Sequence, residues 1–222
     1  MLTNKFSRMK NKLISKGISK SLLLIIIILF FTLTSLNAFA QTSLIGCTEL
    51  NKEENYKLDA AVITSNTCFF ITSNNIEFDC QFLPILGFGS GTGISVINAS
   101  NVTLRNCALA GFDFAIDINN SNVNLESSLI INNSKGVVTY GFSSLNTSSN
   151  SFLNNSINLE NTNPFVNIKA LNNWWGTNVS SEIENTVVGN VTFVPFLNFD
   201  LHSDNDRDTI LRFEDNCPND FN

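Results

Sequence analysis

The chain is poor in charge, in histidine and in proline. Of its 222 residues 14% are charged, one is His and four are Pro. A net charge of −6 with so few basic side chains excludes a nucleic-acid-binding surface built on Lys and Arg. Long Ala/Leu/Glu/Lys runs are missing as well, so helix must be minor and strand and turn must dominate. There is no CxxC pair and the single histidine is His202, which leaves a thiolate metal site without its ligand set. Ser/His/Asp and Cys/His nucleophile systems lack a base in the middle of the chain for the same reason. No glycine-rich loop follows a strand and opens a helix, so a phosphate cradle is excluded, and Gly87 to Gly93 reads as a turn insertion. With 43% hydrophobic residues the chain is nevertheless apolar enough to fold.

Long apolar runs are confined to the first forty residues. Lys5, Arg8, Lys10, Lys12, Lys16 and Lys20 precede the run Leu22 to Leu33, and Ala38-Phe39-Ala40 supplies small residues before Gln41. This is the layout of a secretory signal over residues 1–40, cleaved after Ala40. An uncleaved anchor is the alternative, but the run is short for a span and Thr32, Thr34, Ser35 and Asn37 interrupt its end. After cleavage no stable membrane span is expected, and the protein should be secreted or held at the cell surface. Cys47, Cys68, Cys80, Cys107 and Cys217 all lie beyond the cleavage site, where disulfides are permitted. Five is odd, so one lacks an intrachain partner. Two of the first three are expected to pair, with Cys107 a small buried residue.

What the chain has in abundance is asparagine, about 35 residues or roughly one in six. Beside it runs a repeat. The segments Asn75-Ile76-Glu77-Phe78-Asp79, Asn101-Val102-Thr103-Leu104-Arg105, Asn122-Val123-Asn124-Leu125-Glu126, Ser144-Leu145-Asn146-Thr147-Ser148, Phe165-Val166-Asn167-Ile168-Lys169 and Asn190-Val191-Thr192-Phe193-Val194 share one register at spacings of about 21 to 26 residues. Alternation over five positions is the strand period with one face buried. A second apolar cluster precedes most of them (Ile94/Val96, Ile116/Ile118, Val138/Tyr140) and a third follows (Leu109, Leu129/Ile131, Phe152). Three short strands in about 22 residues cannot bury their apolar faces within one repeat, but stacked repeats can. The expected fold is therefore all-β, a parallel β-helix of about six coils over residues 41–199, with a lead-in around Tyr56 to Ile63. Asparagine then serves left-handed corners and amide ladders between coils.

The run from Tyr56 to Phe196 resembles the right-handed parallel β-helix proteins of the pectate-lyase-like superfamily, particularly secreted surface members related to the NosD type. Phe70 to Cys80, Gly89 to Ile94 leading to Asn101 to Cys107, and Asn172-Asn173-Trp174-Trp175-Gly176-Thr177 carry the resemblance. The fold hosts lyases, hydrolases, adhesins and stalks, so activity must be argued from a site. Hydrolase motifs of the family, an Asp-Asp pair and Gly-His-Gly, are not present. Asp79, Arg105 and Glu126 fall on one outward ladder in successive coils. In a calcium-dependent polysaccharide lyase Arg105 could abstract a proton or clamp substrate between the two carboxylates; an inter-coil ion ladder is the simpler account. Asp113 and Asp117 form a second outward pair. Trp174 and Trp175 are adjacent and point to opposite faces of a strand, one able to plug the last coil and the other to stack on a sugar. Sequons occur at Asn98, Asn101, Asn119, Asn132, Asn146, Asn154, Asn178 and Asn190, acceptors if the source glycosylates exported proteins.

Residues 200–222 change character. Asp204, Asp206, Asp208 and Asp215 take positions 1, 3, 5 and 12 of a loop, the spacing that wraps oxygen ligands around calcium. With Asp215-Asn216-Cys217-Pro218 the segment resembles a partial thrombospondin type 3 repeat, with Thr209 in place of Gly and Arg212 in place of Asp. The sequence thus points to an exported, non-enzymatic structural or glycan-recognition module, with glycans or cell-envelope components as partners and no nucleic acid. The calcium-dependent lyase and a truncated adhesin are the alternatives.

Overall fold

The structure is a computed structural model and describes residues 41–202. The signal segment, Cys217 and the calcium-loop residues Asp204, Asp206, Asp208 and Asp215 lie outside the described residues. Among the described residues no helix is long and apolar enough to cross a membrane.

The chain winds into a parallel β-solenoid of about seven turns. Coil 1 holds β1 (Thr42–Leu44) and β2 (Thr48–Leu50), and coil 2 holds β3 (Asn55–Leu58), β4 (Val62–Ile63) and β5 (Phe69–Ile71). Coil 3 has β6 (Ile76–Asp79), β7 (Pro84–Leu86) and β8 (Thr92–Ile97); coil 4 has β9 (Val102–Arg105), β10 (Ala108–Ala110) and β11 (Phe114–Asn119). Coil 5 comprises β12 (Asn122–Glu126), β13 (Leu129–Ile131) and β14 (Lys135–Tyr140), and coil 6 comprises β15 (Ser144–Ser148), β16 (Ser151–Leu153) and β17 (Ile157–Asn161). β18 (Ile168–Lys169), the helix α1 (Ser180–Glu184), β19 (Val187–Val188) and β20 (Val191–Thr192) finish the stack. In coils 2 to 6 the first strand joins sheet A, the second sheet C and the third sheet B, while β1 and β2 of coil 1 join sheets A and B, with every pairing parallel. Coils therefore stack at about 4.8 Å per step.

Equivalent side chains line up inside. Tyr56, Phe78, Leu104 and Leu125 form the sheet A column, Phe69, Ile94, Ile116, Val137 and Leu159 that of sheet B, and Ile85, Leu109, Ile130 and Phe152 that of sheet C. All are buried, each contributing about 1.5 to 3 kcal/mol of apolar burial. Trp175 closes the C-terminal end by stacking on Phe152 with ring centroids 4.7 Å apart, and Ile183 of α1 is buried beside the same core.

Each corner must turn the chain and still satisfy its backbone N–H groups. Left-handed residues do the turning: Asn98 and Asn120 between sheets B and A, Asn106, Ser127, Ser149 and Asn172 between A and C, Asn132 and Asn154 between C and B. The residue after most of them is bonded from the next coil. Ala99 N–H donates to Ser121 Oγ (3.0 Å), Ser128 N–H to Asn150 Oδ1 (2.8 Å), Asn150 N–H to Asn173 Oδ1 (3.1 Å) and Asn133 N–H to Asn155 Oδ1 (2.9 Å). Both expected uses of asparagine, left-handed corners and amide ladders, are thus present.

Several expectations need correction. The solenoid begins at Thr42, ahead of the anticipated lead-in, and has about seven turns rather than six. Cys47 bonds Cys68, two of the first three cysteines as expected, but Cys107 is bonded to Cys80 and is not a free buried thiol. Val138/Tyr140 and Leu129/Ile131 face outward; the inward residues are Val137 and Thr139, and Ile130. A one-residue offset exchanges the faces of a strand. In sheet B it arises because Gly93, Ala115 and Gly136 take an extra inward position, where a Cβ on Gly136 would sit 2.4 Å from the Asn158 carbonyl oxygen. The segment Phe165 to Lys169 is displaced by two residues, since Lys169 pairs with Asn146. Val166 is packed half-buried against the core below a longer corner, and Phe165 is 90% exposed.

Candidate functional site

The three outer faces have different chemistry. On sheet A the registers Asp79–Arg105 and Arg105–Glu126 place the lyase candidates on one ladder, as the spacing required. Their interactions are not those of a catalytic group. Arg105 Nη2 lies 2.7 Å from Glu77 Oε1 and 3.0 Å from Asp79 Oδ2, so it reaches back into coil 3. Asp79 Oδ1 accepts hydrogen bonds from Gln81 N–H (2.9 Å) and Asn106 Nδ2 (3.0 Å). Asp79 is buried in this network, while Glu126 is exposed at the next rung. An arginine held by two carboxylates of its own wall is engaged in the fold and poorly placed to act on a substrate. The neighbouring amides are also engaged: Asn101 Nδ2 donates to Asn75 Oδ1 (2.9 Å), and Asn167 Nδ2 to Asn190 Oδ1 (2.9 Å).

Sheet C is apolar outside as well as inside, with Leu86, Ala110, Ile131 and Leu153 in one outward row. The segment after β20 runs back along its border with sheet A. Asn172 N–H donates to the Pro195 carbonyl (2.6 Å) and Leu197 N–H to that of Asn173 (2.9 Å). His202 then packs against Phe82 of coil 3, with centroids 5.8 Å apart. Here the structure brings Ser, His and Asp together, which the sequence reading did not foresee because His202 lies outside the repeats. Ser151 Oγ is 2.8 Å from His202 Nδ1 and hydrogen-bonded to Asp200 Oδ1. Both partners address the same face of the ring, for Asp200 Oδ1 is 3.8 Å from that same Nδ1. A proton relay needs the carboxylate on the other ring nitrogen. Ser151 is also fully buried. Burial lowers the His202 pKa, partly offset by the Asp200 charge and a bond with the Ser127 backbone. The cluster fastens the returning segment. Trp174, half-buried, bridges to Ser151 and extends sheet C, while Trp175 is in the core.

Sheet B differs from both. On β11 the outward residues are Phe114, Asp117 and Asn119, flanked by Thr92, Ser95 and Ile97 on β8 and by Lys135, Val138 and Tyr140 on β14. The middle row is sunk: Ser95 is 4% exposed and Val138 0%, although neither belongs to the core. Larger side chains on either side therefore wall a shallow furrow, Phe114 and Lys135 on one bank and Ile97 and Tyr140 on the other. Phe70, 41% exposed, stands at one end of the floor and Glu160 at the other.

Asp117 lies on that floor, and its Oδ1 is buried without a hydrogen-bond partner among the described residues. Burial raises its pKa above the ordinary carboxyl value. The Tyr140 phenol is raised too, first by burial and then by the Asp117 charge. Glu160, by contrast, has a partner: Lys135 Nζ is 2.6 Å from Glu160 Oε2 and 5.7 Å from the Phe114 ring centroid. The hydrogen bond to Glu160 is the main cause that raises the Lys135 pKa. Asp113, the expected companion of Asp117, sits in the corner before β11, where its backbone N–H donates to the Gly91 carbonyl (3.1 Å). The furrow was hidden in the sequence because Val138 and Tyr140 read equally well as core residues; the small residues at 93, 115 and 136 were the available signal.

Compared with family models, curated proteins and solved structures, the chain matches none. Function must be argued from this geometry.

Proposed function

We propose that the solenoid is an extracellular, non-catalytic module that recognises glycans through the outer face of sheet B. The observation that carries this reading is the furrow itself, where partly exposed aromatic side chains border a carboxylate whose buried Oδ1 has no hydrogen-bond partner among the described residues. Sugar rings stack their apolar faces on aromatic side chains and direct their hydroxyls and substituents to polar groups. The outward rows of the sheet A strands offer no aromatic ring and their Arg105 is already paired, whereas Phe70, Phe114 and Tyr140 border Asp117 on sheet B. Phe142 and Phe165, 80% and 90% exposed, extend the aromatic character to the corner between sheets B and A. Export is supported by the basic-then-apolar leader and by two disulfides, which persist in an oxidising compartment. Residues 200–222 are proposed as a calcium-binding spacer through Asp204, Asp206, Asp208 and Asp215, tested by calorimetric titration with calcium; absence of heat overturns that part.

Incubating the full chain with a glycan panel tests the main reading. Saturable binding with no change in glycan length and no unsaturated product is expected. Cleavage of any glycan, or failure to bind every member of the panel, overturns it.

A further inference from the structure

The furrow on sheet B contains two carboxylates with unequal partners. Glu160 is neutralised by the Lys135 ammonium, which also lies over the Phe114 ring. Two rungs away Asp117 has aromatic neighbours of the same kind, Phe114 on its own strand and Tyr140 on the next, but its buried Oδ1 has no partner. A buried polar atom without a partner costs free energy and calls for an explanation. The protein's own lysine shows what this wall accommodates: an ammonium set between an aromatic face and a carboxylate. The charge of the whole solenoid agrees. Residues 41–202 carry about 13 Asp and Glu against about five Lys and Arg, a field that repels acidic polymers and attracts cationic ones.

We propose that Asp117, with Phe114 and Tyr140, forms a subsite for the free ammonium group of an amino sugar, so that the preferred ligand is a glycan of unacetylated hexosamine units. This rests on the glycan-recognition reading and narrows it. The sugar ring lies against the partly exposed Phe114 and Tyr140 side chains that border Asp117, above the covered Ser95 and Val138. Its ammonium donates to the Asp117 carboxylate, as Lys135 does to Glu160. Acetylation removes the positive charge and adds bulk, so the acetylated unit loses the charge-assisted bond and meets the furrow wall. The coil repeat of about 4.8 Å also places the two carboxylates in one line, which suits a chain running parallel to the solenoid axis.

The test is calorimetric titration of the full chain with an oligomer of glucosamine, with the same oligomer fully N-acetylated, and with a lysine-containing peptide of equal charge. The glucosamine oligomer is expected to bind at least about tenfold more tightly than the acetylated one. Asp117→Asn should remove that preference, Asp117→Glu should keep part of it, and Lys57→Gln on sheet A should leave it unchanged. The melting curve of Asp117→Asn establishes that the variant is folded. Equal binding of both oligomers, unaltered in Asp117→Asn, overturns the ammonium subsite while glycan recognition stands. Binding of neither oligomer overturns the subsite too, and silence across the wider glycan panel then removes the recognition reading as well. A peptide bound as tightly as the amino-glycan overturns the assignment to a sugar.

Discussion

The outer walls of sheets A and B are built on the same coils at the same pitch, yet they handle charge in opposite ways. On sheet A, Arg105 is shared by Glu77 and Asp79, and Asp79 in turn receives two further hydrogen bonds. On that wall the carboxylates nearest Arg105 are paired, although the buried Arg105 Nε has no hydrogen-bond partner among the described residues and Glu126 stands exposed. On sheet B a carboxylate of the same type, Asp117, stands one rung from Val138 and one from Ser95, and its buried oxygen is left without a donor. The contrast teaches that a charge on a solenoid wall is structural when an opposite charge sits on an adjacent rung. It is available to a ligand when the adjacent rungs are neutral. Spacing makes both outcomes possible, and neighbours decide between them.

Four substitutions bear on this comparison. The largest effect is expected at a corner, the one that joins sheets A and C. Asn150 accepts the Ser128 N–H and donates to the Leu125 and Ser148 carbonyls. Asn150→Ala leaves these buried groups unpaired and should cost about 2 to 3 kcal/mol, read as a lower melting temperature and faster hydrogen exchange at the corner between sheets A and C. Next comes Arg105→Ala, which leaves Glu77 and the buried Asp79 without their cation. Because the arginine is more than one third exposed, the loss should be about 1 kcal/mol, with ligand binding on sheet B unchanged. An equal loss of binding would join the two walls functionally and end the comparison.

Lys135→Met sharpens the contrast by making Glu160 resemble Asp117 and clearing the Phe114 ring. Affinity for the glucosamine oligomer should rise by about two- to fivefold, measured by calorimetry. The smallest effect concerns stability alone. Burial lifts the folded-state pKa of Asp117 above its unfolded value, so the fold favours the protonated form. Its contribution is full at acid pH and is lost as pH rises through the folded-state pKa. The groups facing it are Tyr140 and Lys135 on β14 and Glu160 on β17, while β8 presents Ser95. Asp117→Asn should therefore be more stable than the parent at neutral pH by no more than about 1 kcal/mol, the gap closing as pH falls through the carboxyl range. Thermal melts across pH check this; a gap that widens in acid contradicts it.

The strands of sheet A were legible from spacing because Val102/Leu104 and Val123/Leu125 alternate with polar residues, so only one parity buries them. In Lys135 to Tyr140 and Leu129 to Ile131 apolar residues occupy both parities, and the pattern does not choose. The displaced segment before Lys169 failed for a related reason: a slip of two residues preserves alternation, and only the parallel ladder to Asn146 fixes it. The cysteines gave one expected pair, but Cys80 and Cys107, 27 residues apart in sequence, meet only because coils 3 and 4 stack. His202 was assigned to a separate tail, and its contact with Ser151 spans 51 residues.

Sequence alone determined the solenoid and the role of asparagine, since both follow from local periodicity and from the ease with which Asn enters left-handed turns. Tertiary structure decided which of two adjacent apolar residues turned inward, which cysteines met, and which carboxylate was left without a partner. These depend on what lies one rung away, and a rung is some twenty residues distant along the chain, beyond the reach of any local pattern.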